Sequence, residues 1–287
     1  MDDSGSNGLL QVSKHPIRRC DLTMAFQPFV DVNDKSVYGY EALVRGTNNE
    51  PASDIFAHIA QGEEAGFDLA CTALAIDLAS TLNVSTYLGI NLSRAHSGSI
   101  DGNEAHLIAA IARARDFPVQ RVMIEITESR DRVIRERMPE LLCRYKAEGF
   151  ATAIDRFGLG DLGLDVLGHC RPDAIKLSTS LVRDIDADPV QCSVIAGIAQ
   201  VCNELGIQVI AVGVETAGEC RALRDAGVHL FQGYLFAHPG LNRLPAILPA
   251  VWPGIERRMQ LDRRRGDRDL ARGAGRGAVR GADRRSH

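Results

Sequence analysis

What most constrains this chain is an alternation. Between Thr23 and Pro239, short apolar runs of strand character take turns with longer stretches of helical periodicity. The predicted strands are Met24–Asp31, Val37–Leu43, Tyr87–Asn91, Val122–Thr127, Ala151–Asp155, Ala174–Leu177, Gln208–Val212 and Val228–Phe231. Helices are predicted over Asp54–Ala65, Asp68–Leu82, Glu104–Arg115, Asp131–Glu148, Gln191–Leu205 and Ala217–Ala226. Strand and helix repeated in this way build a parallel sheet, because a parallel neighbour needs a crossover connection. Eight such strands favour closure into a barrel over an open sheet. The first pair departs from the rule, since Val32–Ser36 is too short for a crossover helix and reads as a hairpin turn. The expected fold is an α/β, modified (β/α)8 TIM-like barrel with an antiparallel first strand.

The barrel accounts for residues 21–252, leaving an N-terminal extension at 1–20 and an Arg/Gly-rich tail at 253–287. From Arg257 to His287 the tail carries eleven Arg against four Asp, a charge of +7 within a chain of net −4, so the rest of the chain carries −11. With almost no large apolar residue after Leu270 the tail cannot bury enough surface to fold, and disorder is expected there. Any contact with nucleic acid is expected only through these arginines. The first eleven residues hold two Asp and no apolar core segment, which excludes a secretory signal. No run approaches the length of a membrane span. Seven scattered cysteines without a CxxC pair point to reduced thiols in a cytoplasm.

Barrel chemistry gathers at the C-terminal ends of the strands. Here Glu41 closes the second predicted strand, Asn91 the third, Glu125 and Thr127 the fourth, Asp155 the fifth and Lys176 the sixth. Glu215 follows the seventh and Gln232 the eighth. Any one of these reads as a cap or a surface ion pair, but seven ends converging on one rim read as a site. Carboxylates with an Asn carbonyl form an all-oxygen set suited to Mg²⁺ or Mn²⁺, and no Cys/His cluster has zinc spacing. A lysine among them suits a phosphate ester. The eight histidines are scattered, and only His238 lies near this rim.

At these positions the chain resembles the EAL family of cyclic di-GMP phosphodiesterases. YEALVRG at Tyr40–Gly46 is similar to the family signature. FQP (Phe26–Pro28), INLS (Ile90–Ser93), EITES (Glu125–Ser129), IDRFG (Ile154–Gly158), IKLS (Ile175–Ser178), GVET (Gly213–Thr216) and FQGYLFAHP (Phe231–Pro239) follow in order. The resemblance implies two divalent ions that activate a water against a phosphodiester. Its first-ion ligands map onto Glu41, Asn91, Glu125 and Asp155, all present. Its second ion depends on two acidic residues that are Arg156 and Val212 here, and a further aspartate is Ser178. Lys176 and Glu215 match catalytic positions, and Gln27, Arg45, Asn91, Arg156 and Gln232 fall where a nucleotide would bind. Glu128 matches a further polar position, while the loop Gly158–Leu164 lacks the family's hydroxyls.

The magnitudes weigh against the second ion. A unit positive charge at roughly 4 Å from a dication costs on the order of 8 kcal/mol at an effective dielectric of about 20. Arginine cannot relieve this by losing its proton. Arg156 is expected to turn inward as a counter-ion for Asp155, Glu125 or Glu215, to meet a phosphate, or to swing outward to solvent and leave a weak second site that still lacks an acid at Val212. At most one Mg²⁺ or Mn²⁺ is expected, at Glu41, Asn91, Glu125 and Asp155. The expected function is that of a degenerate, stand-alone, catalytically inactive EAL-type regulator that binds a protein partner such as a transcription or signalling regulator. The alternatives are a non-catalytic cyclic di-GMP receptor and a weakly active metal-dependent phosphodiesterase, and the resemblance also allows a homodimer.

Overall fold

The computed structural model describes residues 21–59, 63–92, 103–128, 132–159 and 165–255. The Arg-rich run, the N-terminal extension, Ser93, Ser129 and Gly160–Leu164 lie outside the described residues.

The strands are β1 (Leu22–Asp31), β2 (Ser36–Gly46), β3 (Tyr87–Leu92), β4 (Val122–Thr127), β5 (Ala151–Phe157), β6 (Ala174–Leu177), β7 (Gln208–Val212) and β8 (Leu230–Gln232), with a two-residue β9 (Gly240–Leu241). Neighbours run β2-β3-β4-β5-β6-β7-β8-β1, and β1 pairs back onto β2, closing a barrel of eight strands. All pairs from β2 to β8 are parallel, whereas β1 is antiparallel to both β2 and β8. The hairpin turn explains this. Asp31 accepts from the Asn33 amide at 2.8 Å, and Lys35 takes a left-handed conformation with φ 53°. The chain thus reverses before any crossover can form.

The helices are α1 (Ala52–Phe56), α2 (Glu64–Thr81), α3 (Glu104–Ala114), α4 (Arg132–Ala147), α5 (Asp165–Cys170), α6 (Thr179–Val182), α7 (Pro189–Leu205) and α8 (Ala217–Asp225). Two have complete stop and start signals. In α7, Asp188 accepts from the amides of Val190 and Gln191, Pro189 opens the first turn, and Gly206 ends the helix at φ 73°. In α8, Thr216 and Glu219 form a reciprocal capping box.

The helix expected over Asp54–Ala65 is not continuous: α1 ends at Phe56 and α2 begins at Glu64. The His58 ring meets the Asp54 carbonyl at 2.6 Å, taking the acceptor a continuing helix would use. Likewise β2 runs on to Gly46, so Glu41 lies mid-strand rather than at a strand end, because Arg45 and Gly46 still pair with Thr23 and Leu22 of β1.

Apolar residues pack in two layers. The larger core lies between barrel and helices, and its packing extends to Phe236, Trp252 and Ile255. The barrel interior holds Phe29, Met123, Ile210 and Leu230 with three alanines, Ala151, Ala153 and Ala174. Small residues on β5 and β6 leave space in the barrel for larger polar side chains above Phe29. No helix among the described residues is long and apolar enough to cross a membrane. Cys71, Cys143, Cys192, Cys202 and Cys220 are all free thiols.

Candidate functional site

Parallel register places the polar residues in one layer. Asn91 pairs with Glu125 and Glu41 with Gly89, while Gln27 faces Glu41 across the β1–β2 hairpin. Side chains of paired residues lie on the same face of a sheet, so Gln27, Glu41, Asn91 and Glu125 all enter the barrel mouth.

Lys176 is the hub. Its ammonium is 1% exposed and donates to Glu41 Oε2 at 2.8 Å and to Glu125 Oε2 at 2.6 Å. Its Nζ also stands 5.0 Å from the centroid of the Phe29 ring. Glu41 accepts two further hydrogen bonds, from Asn91 Nδ2 to Oε1 at 2.5 Å and from Gln232 Nε2 to Oε2 at 2.7 Å, and the same Gln232 Nε2 also donates to Gln27 Oε1 at 3.2 Å. Gln27 completes the chain by donating to the Ala237 carbonyl at 3.2 Å. Among the described residues, none donates to Glu125 Oε1 or Gln232 Oε1.

Burial and charge compete at each carboxyl. Burial pushes Glu41 up, but the Lys176 ammonium and the hydrogen bonds from Lys176, Gln232 and Asn91 outweigh it and hold the group below the ordinary carboxylate value. Burial, with the Glu41 charge beside it, holds Glu125 well above that value despite Lys176. Asp155 is raised by burial, partly opposed by Lys176. For Lys176 burial acts downward, and Glu125, Glu41 and Asp155 together carry the ammonium above its ordinary value.

Asp155 and Arg156 occupy a bulge. β5 pairs with β6 at Ala153 and Ile154 and again only at Phe157, so two residues of β5 stand opposite Lys176. Arg156 takes a left-handed backbone with φ 57°. Such bulges re-aim side chains. The guanidinium points outward, 64% exposed, with its Nε 3.7 Å from Asp155 Oδ2. The inward counter-ion expected of Arg156 toward Glu125 or Glu215 is therefore not its placement. Lys176 is the cation paired with both Glu41 and Glu125, and Glu215 is held elsewhere: Arg183 grips it in bidentate fashion at 2.7 and 2.8 Å on the surface. Arg183 had no motif to flag it.

The remaining predicted residues are dispersed around this core. Arg45 is half-buried and donates to the Val44 carbonyl at 2.7 Å. Ser178 is buried with its hydroxyl 2.7 Å from that of Ser180. Val212 ends β7 opposite Gln232. Glu128 accepts from the Gly158 amide at 2.7 Å, tying β4 to the turn after β5. His238 stacks on Tyr234 with ring centroids 4.1 Å apart.

A cavity of about 430 Å³ opens beside the cluster. Glu41, Asn91, Asp155, Arg156 and Arg45 line one side, and Phe56 and Phe67, in edge-to-face contact at 5.8 Å, line the other. Phe56 and Phe67 carried no functional signal in sequence, being legible only as packing residues. As arranged, the donors do not fit a pair of ions. Among the described residues no three His, Cys, Asp or Glu side chains stand together as a metal-holding group. The Lys176 ammonium fills the space between Glu41 and Glu125, and the second position offers a cation, an apolar side chain and a hydroxyl already engaged by Ser180.

The model of the EAL domain matches residues 10–239. The chain belongs to the EAL domain family. The EAL barrel is 32% identical over 230 residues to the blue light- and temperature-regulated antirepressor BluF of Escherichia coli, covering 80% of this chain and 56% of that protein. This EAL chain spans about half the length of the curated relatives it matches. Among solved structures, a standalone versatile EAL protein from Vibrio cholerae O395 in its c-di-GMP-bound form is 36% identical, with a TM-score of 0.73 over 80% of this chain and 97% of that one. Klebsiella pneumoniae BlrP1 in a calcium and cyclic di-GMP complex is 33% identical, with a TM-score of 0.73 over 79% of this chain and 58% of that one.

Proposed function

We propose that this EAL chain is a degenerate, non-catalytic cytoplasmic regulator that works by binding a protein partner. The observation that carries the reading is the composition of the second-ion side of the mouth. Arg156 stands on the bulge, Val212 ends β7, the Ser178 hydroxyl is spent on Ser180, and Glu215 is engaged by Arg183. Cleaving a phosphodiester at such a site requires charge stabilisation on both the attacking and the leaving oxygen, which a two-ion clamp supplies. A single Mg²⁺ or Mn²⁺ at Glu41, Asn91, Glu125 and Asp155 would have to displace the Lys176 ammonium, and it would polarise a phosphate oxygen there. BluF, named as an antirepressor, is consistent with action through a partner.

A second reading, a cyclic di-GMP receptor, is favoured by the cavity itself. It retains Arg45 and Asn91 beside an aromatic wall, and the Vibrio protein at 36% identity was solved with c-di-GMP bound. Isothermal titration of cyclic di-GMP with and without Mg²⁺, alongside a hydrolysis assay, decides between them. The first reading expects neither heat nor turnover. Heat without turnover transfers the function to the receptor reading, and Mg²⁺-dependent turnover by the unaltered chain sinks both.

A further inference from the structure

Glycine occupies an unexpected position in the barrel wall. Gly89 of β3 pairs with Glu41 on one side and Met123 on the other, so its missing side chain belongs to the inner face. A Cβ built there would collide with Glu125 Oε1, and would lie 3.2 Å from Glu125 Cδ and 3.1 Å from Phe29 Cζ. That same Oε1 is buried and receives no hydrogen bond from the described residues. Among them no donor draws it toward β3, and the room left by Gly89 is what accommodates it. The other oxygen, Oε2, takes the Lys176 ammonium at 2.6 Å.

We propose that Gly89 is a positioning residue of the candidate site: the space it leaves seats the Glu125 carboxylate, and Glu125 seated there fixes the Lys176 ammonium against Glu41. A methyl group at this position forces the carboxylate out of its seat. Glu125 is fully buried and its other oxygen is held by Lys176, so a displaced carboxylate disturbs the two Lys176 contacts at 2.6 and 2.8 Å. Shortening the acid by one methylene makes room again. The inference rests on the reading of this cluster as the site, but it is tested without partner, nucleotide or metal, so its failure leaves the titration above untouched.

The test reads the ammonium directly by ¹H–¹⁵N NMR of lysine NH₃⁺ groups. The chain has four lysines, at 14, 35, 146 and 176. A buried, hydrogen-bonded ammonium exchanges slowly, so Lys176 gives a sharp cross-peak, assigned by its loss in Lys176→Arg. Gly89→Ala is expected to abolish that cross-peak, and Gly89→Ala with Glu125→Asp to restore it. Gly66→Ala, where nothing lies within 4 Å of the added methyl, keeps it. Absence of the signal from the unaltered chain, its survival in Gly89→Ala, or failure of the double variant to restore it overturns the proposal. If circular dichroism finds Gly89→Ala unfolded, the double variant decides: folding with the cross-peak supports the seat, and failure to fold refutes it.

Discussion

Arg156 keeps a left-handed backbone that costs an L-residue about 1–2 kcal/mol, and among the described residues its guanidinium makes a distant ion pair with Asp155. Glycine at 156 relieves the strain but loosens the unfolded chain, which offsets part of the gain. Arg156→Gly should therefore raise stability by about 0.5–1 kcal/mol in urea denaturation. No change or a loss would mean that the guanidinium stabilises the rim after all. Lys176 is the opposite case. Lys176→Met leaves Glu41 and Glu125 buried without their cation, and should cost about 3–5 kcal/mol by the same measurement. The motif residues themselves were legible in sequence, because the fold brings Glu41, Asn91, Glu125, Asp155 and Lys176 to one mouth. Their pairing was not. IDRFG reads as an ordinary strand end, and nothing in it signals the bulge that turns Arg156 outward. Arg183 lies 32 residues from Glu215, a separation at which no local pattern couples two side chains.

Among the elements, β4, β6 and β7 begin and end where the strand-like runs do, since parallel strands buried on both faces are nearly continuous in apolar residues, with Glu125 and Lys176 as the buried exceptions that build the site. Short helices were the weak point: α5 and α6, at 6 and 4 residues, are too brief to establish a helical period. Helix α8 does more than cap itself. Glu219 accepts from the amides of Glu215 and Thr216 at 2.9 and 3.0 Å and from that of Asp184 at 3.2 Å, so it clamps the loops after β6 and β7 together. Glu219→Ala orphans these donors and should cost about 2 kcal/mol, with faster hydrogen exchange at Asp184 and Glu215. A cost below a few tenths would mean water replaces the carboxylate fully. At the start of α3, burial and the neighbouring Asp68 raise the Glu104 carboxyl above its ordinary value. The folded state then holds a proton more tightly than the unfolded chain, so ionisation weakens the fold as pH rises past the ordinary glutamate value. Glu104→Gln lacks that penalty. Its stability relative to the unaltered chain should climb between acidic and neutral pH, and a flat or falling difference would contradict the assignment.

At the scale of the whole molecule, the two halves of the barrel mouth differ in chemistry. One side carries Glu41, Asn91, Glu125 and Lys176; the other carries Arg156, Ser178 and Val212. On the non-catalytic reading proposed above, Arg156→Asp with Ser178→Asp and Val212→Glu should create Mg²⁺-dependent hydrolysis of cyclic di-GMP that the unaltered chain does not give. A folded but silent triple variant would locate the defect in the turn after β5, or in the grip of Arg183 on Glu215. The barrel as a whole was legible because eight strand-like runs at crossover spacing admit few other closed arrangements. Its closure was only half legible: a short turn implied an antiparallel first pair, but only the register shows β1 wedged between β2 and β8, meeting β8 at two positions, Val30 and Asp31.

The contact between Lys176 and the two glutamates also bears on the order in which the chain can fold as it is made. Glu41 and Glu125 precede their shared cation by 135 and 51 residues. Until Lys176 has left the ribosome, β1 to β5 bring Glu41 and Glu125 together without the cation they share. The first half of the barrel is thus denied a stable independent existence, and closure waits for β6. A nascent chain stalled just before that strand should remain open to protease, and one stalled after β8 should not.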